Sequence, residues 1–434
     1  MALWGAITFG AVMASYSAFR PVRDALVLDG DPDQIPWLFT ATFVAITIVS
    51  RIWSALVARF DRRRLIPHAY HVFALCALAF YALVAANTAP VTVGRAFYVW
   101  SSVFSLFVVS VFWSLLADLL GPELGRRLYG PIAGGGTIGT VVGPALTKLL
   151  VGTIGVAGIL VVSALLLELA VIGVHQVRRL GEQLAVERSD ERAISNGAFA
   201  DLAHVARSPY LRAIVGYVLC TSIAATLIYL QQAHIAKAAL PDRAARTDLF
   251  ATIDLCVAGV TFFVQWFAAP RLLRWVGPGL VLCVLPTAQA FGIPLLAFAP
   301  SLGALIPILI ITRTATHGLT RPARELLFTV VGADDKYRAK NVIDTMVYRL
   351  GDFGSAWLGV VVIGAGSIVL ASTTAALGAA WLAFAAVLGA GFRRRVDKEQ
   401  LACSTAAASS SGSDPSPPPA SPLPAARARM VPRP

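Results

Sequence analysis

Long apolar runs are the feature that most limits what this sequence can fold into. They recur along the chain at a length of about 20 residues, which as a helix crosses the roughly 30 Å hydrocarbon core of a bilayer. Only 14% of the 434 residues are charged, whereas a soluble protein carries about 25% charged residues. Too little polar surface is available to coat a water-soluble globule. The sequence therefore predicts an all-α integral membrane protein.

The apolar runs predict about twelve transmembrane helices in two groups of six. The predicted spans are residues 2–28, 36–58, 67–87, 96–119, 131–151, 155–176, 210–236, 247–269, 278–298, 303–328, 339–364 and 367–392. Residues 1–176 form the predicted N-terminal half and residues 209–395 the C-terminal half, joined by a polar cytoplasmic connector at 177–208. Residues 396–434 are rich in Ala, Ser and Pro, so we expect a disordered tail that buries too little apolar surface to fold.

Basic residues are concentrated in alternate loops of this arrangement. The basic loops are residues 59–64, 126–127, 178–207, 271–274 and 393–395. The opposite loops carry few positive charges, and the exceptions are Arg95, Lys237, Arg243 and Arg246. The positive-inside rule then predicts a multi-pass protein of the bacterial inner (plasma) membrane, with both termini in the cytoplasm.

Several ionisable residues lie inside the predicted spans, where each costs about 2.5–3.5 kcal/mol on insertion scales and is a candidate for function. In the first span, Arg20, Arg23 and Asp24 share one face because they are three and four residues apart. Successive residues of a helix are rotated by about 100° around its axis. On the tenth span, a single stripe about 80° wide therefore contains Arg313, His317, Arg321 and Arg324. Guanidinium groups around a water-filled cavity favour an anionic solute.

Two roles are predicted for these side chains. The predicted substrate-binding residues are Arg20, Arg23, Arg313, His317 and Lys340. The predicted charge-pair or gating residues are Asp24, Arg51, Asp254, Asp344, Arg349 and Asp352. A structural alternative stays open, in which Arg20–Asp24, Arg349–Asp352 and Arg321–Glu325 are internal ion pairs that only hold helices together. His317 would then be a hydrogen-bonded packing residue rather than a proton site.

The glycines of the fifth span form a second pattern. Gly134, Gly136 and Gly139 satisfy the spacing of a dinucleotide-binding motif, but they follow no strand and open a membrane span, which excludes a phosphate loop. Gly135, Gly139 and Gly143 recur every four residues, which predicts a flat face for close helix approach.

No chemistry of an enzyme is evident in the sequence. It has no nucleophile–base pair, metal-ligand cluster or Walker motif, so we expect no enzyme, no metal site and no cofactor. The net charge of +12 comes mostly from the basic residues of the alternate loops and of the tail. Because no basic soluble surface carries it, we expect no nucleic-acid partner.

Two six-helix halves, with a glycine–proline face in the fifth span, resemble the major facilitator architecture, whose substrate site lies near the midplane between the halves. Three segments, residues 16–27, 112–131 and 320–352, are similar to the nucleotide (ATP/ADP) transporter family of plastids and intracellular bacteria, and to its broader bacterial relatives. The resemblance implies nucleotide contact at Arg23, and Lys340 and Asp344 match the family's core of span eleven. Two charged family positions differ here, and they fall on Tyr98 or Val99 and on Asp352.

These patterns together predict a secondary active transporter that moves a small anionic solute by alternating access. The resemblance implies a nucleotide-like solute. We expect a monomer whose partners are its anionic substrate and membrane lipid. Two alternatives stay open: a proton-coupled drug or metabolite exporter with Asp254 or His317 as the proton site, and a non-transporting membrane scaffold or sensor that keeps a transporter fold.

Overall fold

A computed structural model describes most of the chain. The described residues are 1–59, 62–120, 122–183, 205, 207–332, 339–340 and 342–411. Most of the predicted connector, and the predicted tail beyond Ser411, lie outside these residues.

Six helices make up the first half of the bundle. Their bounds are α1 (Ala2–Val27), α2 (Ile35–Arg59), α3 (Arg62–Ala85), α4 (Pro90–Leu119), and the two limbs of Pro122–Gln183, which are α5 (122–154) and α6 (156–183). The limbs separate at Gly155, whose φ of 71° and ψ of 175° break the helix. A residue without a Cβ adopts this conformation without strain. The chain therefore reverses direction at Gly155, where the fifth and sixth spans were predicted to separate.

Six helices also make up the second half, and three of them contain a widened π-helical turn. The bounds are α7 (Pro209–Ala239); α8 (Arg243–Phe263, widened at Val264–Ala268, then Ala269–Trp275); α9 (Gly277–Phe298); α10 (Leu302–Thr314, widened at Ala315–Thr320, then Arg321–Leu327); α11 (widened at Ile343–Val347, then Tyr348–Gly364); and α12 (Ser367–Ser411). In α8 and α10 a proline follows the widened turn, Pro270 and Pro322 respectively. A proline has no N–H to donate and its ring crowds the carbonyl four residues earlier, which favours a local change of helix type.

The helices confirm the predicted all-α fold of about twelve transmembrane segments. In the described part of the chain, ten helical stretches are long and apolar enough to cross a membrane, and one of them, Arg127–Gly181, holds both α5 and α6. Helix α11 is not among these ten stretches. Helix α12 continues to Ser411, past the predicted start of the tail at 396. Good helix formers such as Lys398, Glu399 and Leu401 explain this extension.

The glycine face of α5 allows the close helix approach that its spacing predicts, and the helix that approaches it is α1. A Cβ at Gly135 or Gly139 would collide with backbone carbonyl oxygens of α1, and one at Gly143 would lie 2.6 Å from the carbonyl oxygen of Ala14. Only glycine permits this approach of two backbones.

Two large buried cores hold the bundle together, one centred in α1–α6 and the other in α7–α12. We call the end of the bundle that carries Met1 the terminal end, and the end that carries the loop between α1 and α2 the distal end. Leu28, Ile35 and Leu38 of the first half belong to the core of the second half. The two halves therefore share a packed core at the distal end.

Candidate functional site

One carboxylate joins the two halves near the middle of the bundle. Asp254 of α8 is 7% exposed and lies between two arginines. Its Oδ2 is 3.6 Å from Nε of Arg20 on α1, and its Oδ1 is 2.8 Å from Nη1 of Arg313 on α10. Arg313 also donates through Nη2 to Oε1 of Gln232 on α7, at 2.8 Å. Four helices thus meet at a single ion-pair network.

A second charge pair lies one turn along α1 toward the distal end. Arg23 donates through Nε and Nη2 to Oδ1 of Asp24, at 2.9 and 2.7 Å, and Asp24 is 3% exposed. The hydroxyl of Tyr229 on α7 donates to the same oxygen at 3.3 Å. The guanidinium of Arg23 lies 5.3 Å from the ring centroid of Tyr98, within cation–π range. Asp24 therefore pairs with Arg23, and the predicted Arg20–Asp24 alternative is wrong because the partner of Arg20 is Asp254.

A cavity of about 250 Å³, which we call the central cavity, lies beside the Asp254 network. Its lining residues are Arg20, Ala225, Ile228, Tyr229, Gln232, Gln289, Leu309, Thr312, Arg313, Thr316, His317, Arg321 and Tyr348. Three of these are arginines and, among the described lining residues, none is a carboxylate. Even with Asp254 counted, positive charge exceeds negative charge here. Walls of one sign around a low-dielectric space concentrate ions of the opposite sign.

The central cavity continues toward the terminal end. A cavity of about 400 Å³, the terminal cavity, lies between α1 and α5 of one half and α8 and α10 of the other, and it shares Arg20, His317 and Arg321 with the central cavity. The widened turn of α10 contains His317. Across this gap, Nε2 of Gln265 on α8 donates to the carbonyl oxygen of His317 at 3.1 Å. The two widened turns are therefore hydrogen-bonded to each other.

A third cavity, of about 200 Å³, lies on the distal side of Arg20, and we call it the aromatic compartment. Its lining residues are Arg23, Phe39, Thr42, Phe43, Tyr98, Tyr229, Arg349, Asp352 and Phe353. Helices α2 and α4 supply one wall, and α7 and α11 supply the other. Asp352 accepts a hydrogen bond from the Ser222 hydroxyl at 2.5 Å. Tyr229 lines both this compartment and the central cavity.

The distal end is closed by charged contacts between the halves. Asp29, which follows α1, is 2.7 Å from Nη2 of Arg243 and 3.0 Å from Nη2 of Arg246, both at the start of α8. Lys237 of α7 donates to the carbonyl oxygen of Gly30 at 2.6 Å. These contacts lie at the end where the halves share a packed core, whereas the central and terminal cavities extend toward the terminal end. We call the group of Asp29, Arg243 and Arg246 the distal clamp.

The distal clamp is missing from the predicted site residues, although the sequence contained a signal for it. Arg243 and Arg246 are exceptions to the charge asymmetry of the loops, and the loop after α1 is acidic. Because these opposite charges lie on the same side of the membrane, the sequence could have predicted an ion pair between them. The rings of Phe39, Phe43 and Phe353 were also missed, because phenylalanine in a membrane span gives no signal by itself.

Two other predicted site residues, Lys340 and Arg51, lie outside the Asp254 network. Lys340 pairs with Glu325 at 2.7 Å, with both side chains more than a third exposed. Arg51 is exposed on α2 and lines none of the three cavities. The side chain of Asp344 lies outside the described residues. Among the described His, Cys, Asp and Glu side chains, no group of three or more is placed to hold a metal ion.

The sequence pattern of the Major Facilitator Superfamily matches residues 3–332, which is more than half of the chain. The chain belongs to the Major Facilitator Superfamily. It is therefore a multi-pass membrane transporter of small molecules rather than an enzyme. The family of nucleotide (ATP/ADP) transporters is a finer assignment, and it stays a prediction.

Solved facilitator structures have the same fold. The nucleoside transporter NupG superposes with a TM-score of 0.61 at 14% identity, over 91% of this chain and 98% of that one. A POT family transporter in complex with a thioalcohol-conjugated peptide gives 0.58 at 10% identity, over 90% and 96%. A bacterial homologue of the iron transporter ferroportin, in its inward-facing state, gives 0.55 at 13%, over 91% and 97%. At these identities the likeness concerns the fold alone. The sequence matches none of the curated proteins with which it was compared.

Proposed function

We propose that this facilitator is a secondary active transporter of a small anionic solute, and that the solute binds at Arg20 and Arg313. The observation that carries the proposal is the sharing of Asp254 between two arginines beside a cavity lined by three arginines. We further propose that the protein lies in a bacterial inner membrane with both termini in the cytoplasm, as the loop charges predict. The terminal cavity then opens to the cytoplasm.

The proposed mechanism begins with Asp254 as an internal counterion. One carboxylate serves two guanidinium groups, so neither arginine has hydrogen-bond partners for all of its donors. Arginine carries five donors in a planar fork and binds carboxylate or phosphate through paired hydrogen bonds. An anion that enters from the terminal cavity therefore competes with Asp254 for Arg20 and Arg313. Because these arginines belong to different halves, anion binding changes a contact that holds the halves together.

Alternating access also requires the distal end to open. That step must break the distal clamp, since Asp29 belongs to the first half and both arginines to the second. The terminal end must close over the site in the same transition. We propose Asp254 and Asp29 as the two counterions whose release accompanies this exchange of open ends. Nucleotide-like solutes remain the first class to examine, because the sequence resembles nucleotide transporters in residues 16–27 and 320–352.

The proposal is tested by ligand-induced stabilisation of the purified protein. The panel contains inorganic phosphate, phosphate esters, nucleotides and dicarboxylates. A ligand that binds only the folded form stabilises it by about 2.7 kcal/mol at 100 times its Kd. We expect a rise in melting temperature with selected anions, which Arg313→Gln abolishes and Arg51→Gln preserves. The control removes an exposed arginine that lines none of the cavities.

Two results would contradict the proposal. One is a panel with no stabilising anion, which would favour the scaffold or sensor alternative. The other is equal stabilisation of the wild type and Arg313→Gln by the same anion. Uptake into proteoliposomes separates the remaining alternative, since a proton-coupled exporter depends on an imposed pH gradient and shows no preference for anions.

A further inference from the structure

The aromatic compartment differs in chemistry from the central cavity. Five of its nine lining side chains carry an aromatic six-membered ring. The rings of Phe39, Tyr98 and Tyr229 lie with centroids 6.0–6.4 Å apart. Phe43 of α2 and Phe353 of α11 form a second ring pair, with centroids 5.8 Å apart and 30° between their planes. Rings therefore surround this space on the sides contributed by both halves.

The charges around the aromatic compartment balance one another. Arg23 is paired with Asp24 at 2.7 Å. Arg349 and Asp352 both line the compartment and are three residues apart on α11, so they share one face of that helix. Two positive and two negative side chains leave no excess of either sign. The compartment therefore attracts an anion much less strongly than the arginine-lined central cavity does.

One buried polar atom beside this compartment lacks a hydrogen-bond partner among the described residues. The hydroxyl oxygen of Thr42 has no hydrogen-bond partner among the described residues, although Thr42 is only 8% exposed and lines the compartment. A buried hydroxyl without a partner is costly, so a polar atom of a bound molecule at this point is favoured. A heteroatom at the edge of a ring would supply such a partner.

The two spaces are close enough for one small molecule to occupy both. Tyr229 lines both spaces. Arg20 lines the central cavity and Arg23 lines the aromatic compartment, and the two arginines are three residues apart on α1. Three residues of helix correspond to a rise of about 4.5 Å. A ring joined by a few bonds to an anionic group spans that distance.

We propose that the aromatic compartment is a ring-binding subsite, and that the transported solute is a planar aromatic ring with an anionic group on a short linker. The ring lies among Phe43, Phe353 and the tyrosines, and the anionic group lies on Arg20 and Arg313. This inference rests on the proposed function and deepens it, because it assigns selectivity for the uncharged part of the solute. Each subsite is built from both halves. A solute that lacks the ring therefore loses the contacts with both halves in the aromatic compartment.

The test uses pairs of anions that differ in the ring. The pairs are phenyl phosphate with glycerol 3-phosphate, and adenosine monophosphate with ribose 5-phosphate. Affinities are measured by titration of the purified full-length protein in lipid nanodiscs. The variants Phe43→Leu and Phe353→Leu remove a ring but keep an apolar side chain, and both positions are already partly exposed. Phe291→Leu is the matched control, because Phe291 is 75% exposed on the outer surface of α9.

We expect the ring-bearing anion of each pair to bind more tightly to the wild type. Each aromatic contact corresponds to about a 2- to 12-fold change in affinity. Phe43→Leu and Phe353→Leu should therefore weaken the ring-bearing anions by that factor and leave the ring-free anions within about 2-fold. Phe291→Leu should change neither, and Arg313→Gln should weaken all four.

Each contrary outcome is distinct. Equal affinities within each pair, or equal losses in the leucine variants for ring-free and ring-bearing anions, would overturn the ring subsite and leave the anion site standing. Binding of none of the four anions would overturn the anion site and the ring subsite together. An equal effect of Phe291→Leu would assign the losses to general destabilisation and would also overturn the ring subsite.

Discussion

Removal of one charge from the distal clamp should open the distal end, and Asp29→Asn is the substitution that tests this. Loss of one partner from a buried ion pair costs about 3–5 kcal/mol, because the other charge stays buried and unpaired. Asp29 and Arg246 are 11% and 6% exposed, but Arg243 is 24% exposed and partly screened by water. We therefore take the lower limit, about 3 kcal/mol. Opening lets both arginines reach water, so the equilibrium should shift toward the distal-open form by about 100-fold.

The assay is the labelling rate of a single cysteine by a membrane-impermeant maleimide. The reporter is Ile235→Cys near the distal end of α7, where Ile235 is 7% exposed in the closed form, in a background without the five native cysteines. Asp31→Asn makes the same change of charge at an exposed position of the same loop and should leave the rate unchanged. Equal rates in Asp29→Asn and the wild type would refute the reasoning, because apolar packing alone would then hold the end closed.

Three further substitutions follow from the packing of the membrane helices. Gly139→Ala should destabilise the protein by about 1–3 kcal/mol through overpacking against α1, measured as a lower melting temperature, whereas Gly134→Ala, with open space around it, should not. Asp254→Asn should raise anion affinity in titrations because the internal competitor is weakened, while exchange in proteoliposomes slows; unchanged affinity would remove Asp254 from the counterion role. Gln265→Leu should lose about 1 kcal/mol of stability and slow transport at unchanged affinity, because its hydrogen bond to His317 joins two widened turns; a changed affinity would instead place Gln265 in the binding site.

The sequence predicts the helices better than it predicts their partners. Apolar runs, alternate basic loops and the four-residue glycine spacing depend on near neighbours in the chain, so the span number and the flat glycine face of α5 follow from them. Within α1 the same reasoning pairs Arg20 with Asp24. The structure brings Asp254, far away in sequence, to Arg20 instead. Helical spacing states which residues share a face, but not which distant helix that face meets.

The aromatic compartment could not be predicted from the sequence for the same reason, because its residues are far apart in the chain. Its five rings come from four helices, each of which supplies only one or two of them. No single segment contains a recognisable motif, because aromatic residues are common in membrane spans and most pack against neighbours. The charges of Arg349 and Asp352 mark α11 as unusual, but their combination with Phe43 requires the folded bundle.

The widened turn of α10 changes how its sequence must be aligned to a helical wheel. A π-helical turn accommodates one residue more than the regular helix around it, in effect a one-residue insertion tolerated inside the membrane. Residues after Thr320 are therefore rotated by about 100° from the positions that an uninterrupted α-helix would give them. Arg321 then lies about 20° from Arg313 around the helix axis instead of about 80°, whereas Arg324 lies about 80° away instead of about 20°. Deletion of one residue from this turn would restore a regular helix and leave Arg321 on its present face, whereas loss of the wide turn at full length would rotate Arg321 by about 100°. The extra residue therefore aligns Arg321 with Arg313 on the central cavity.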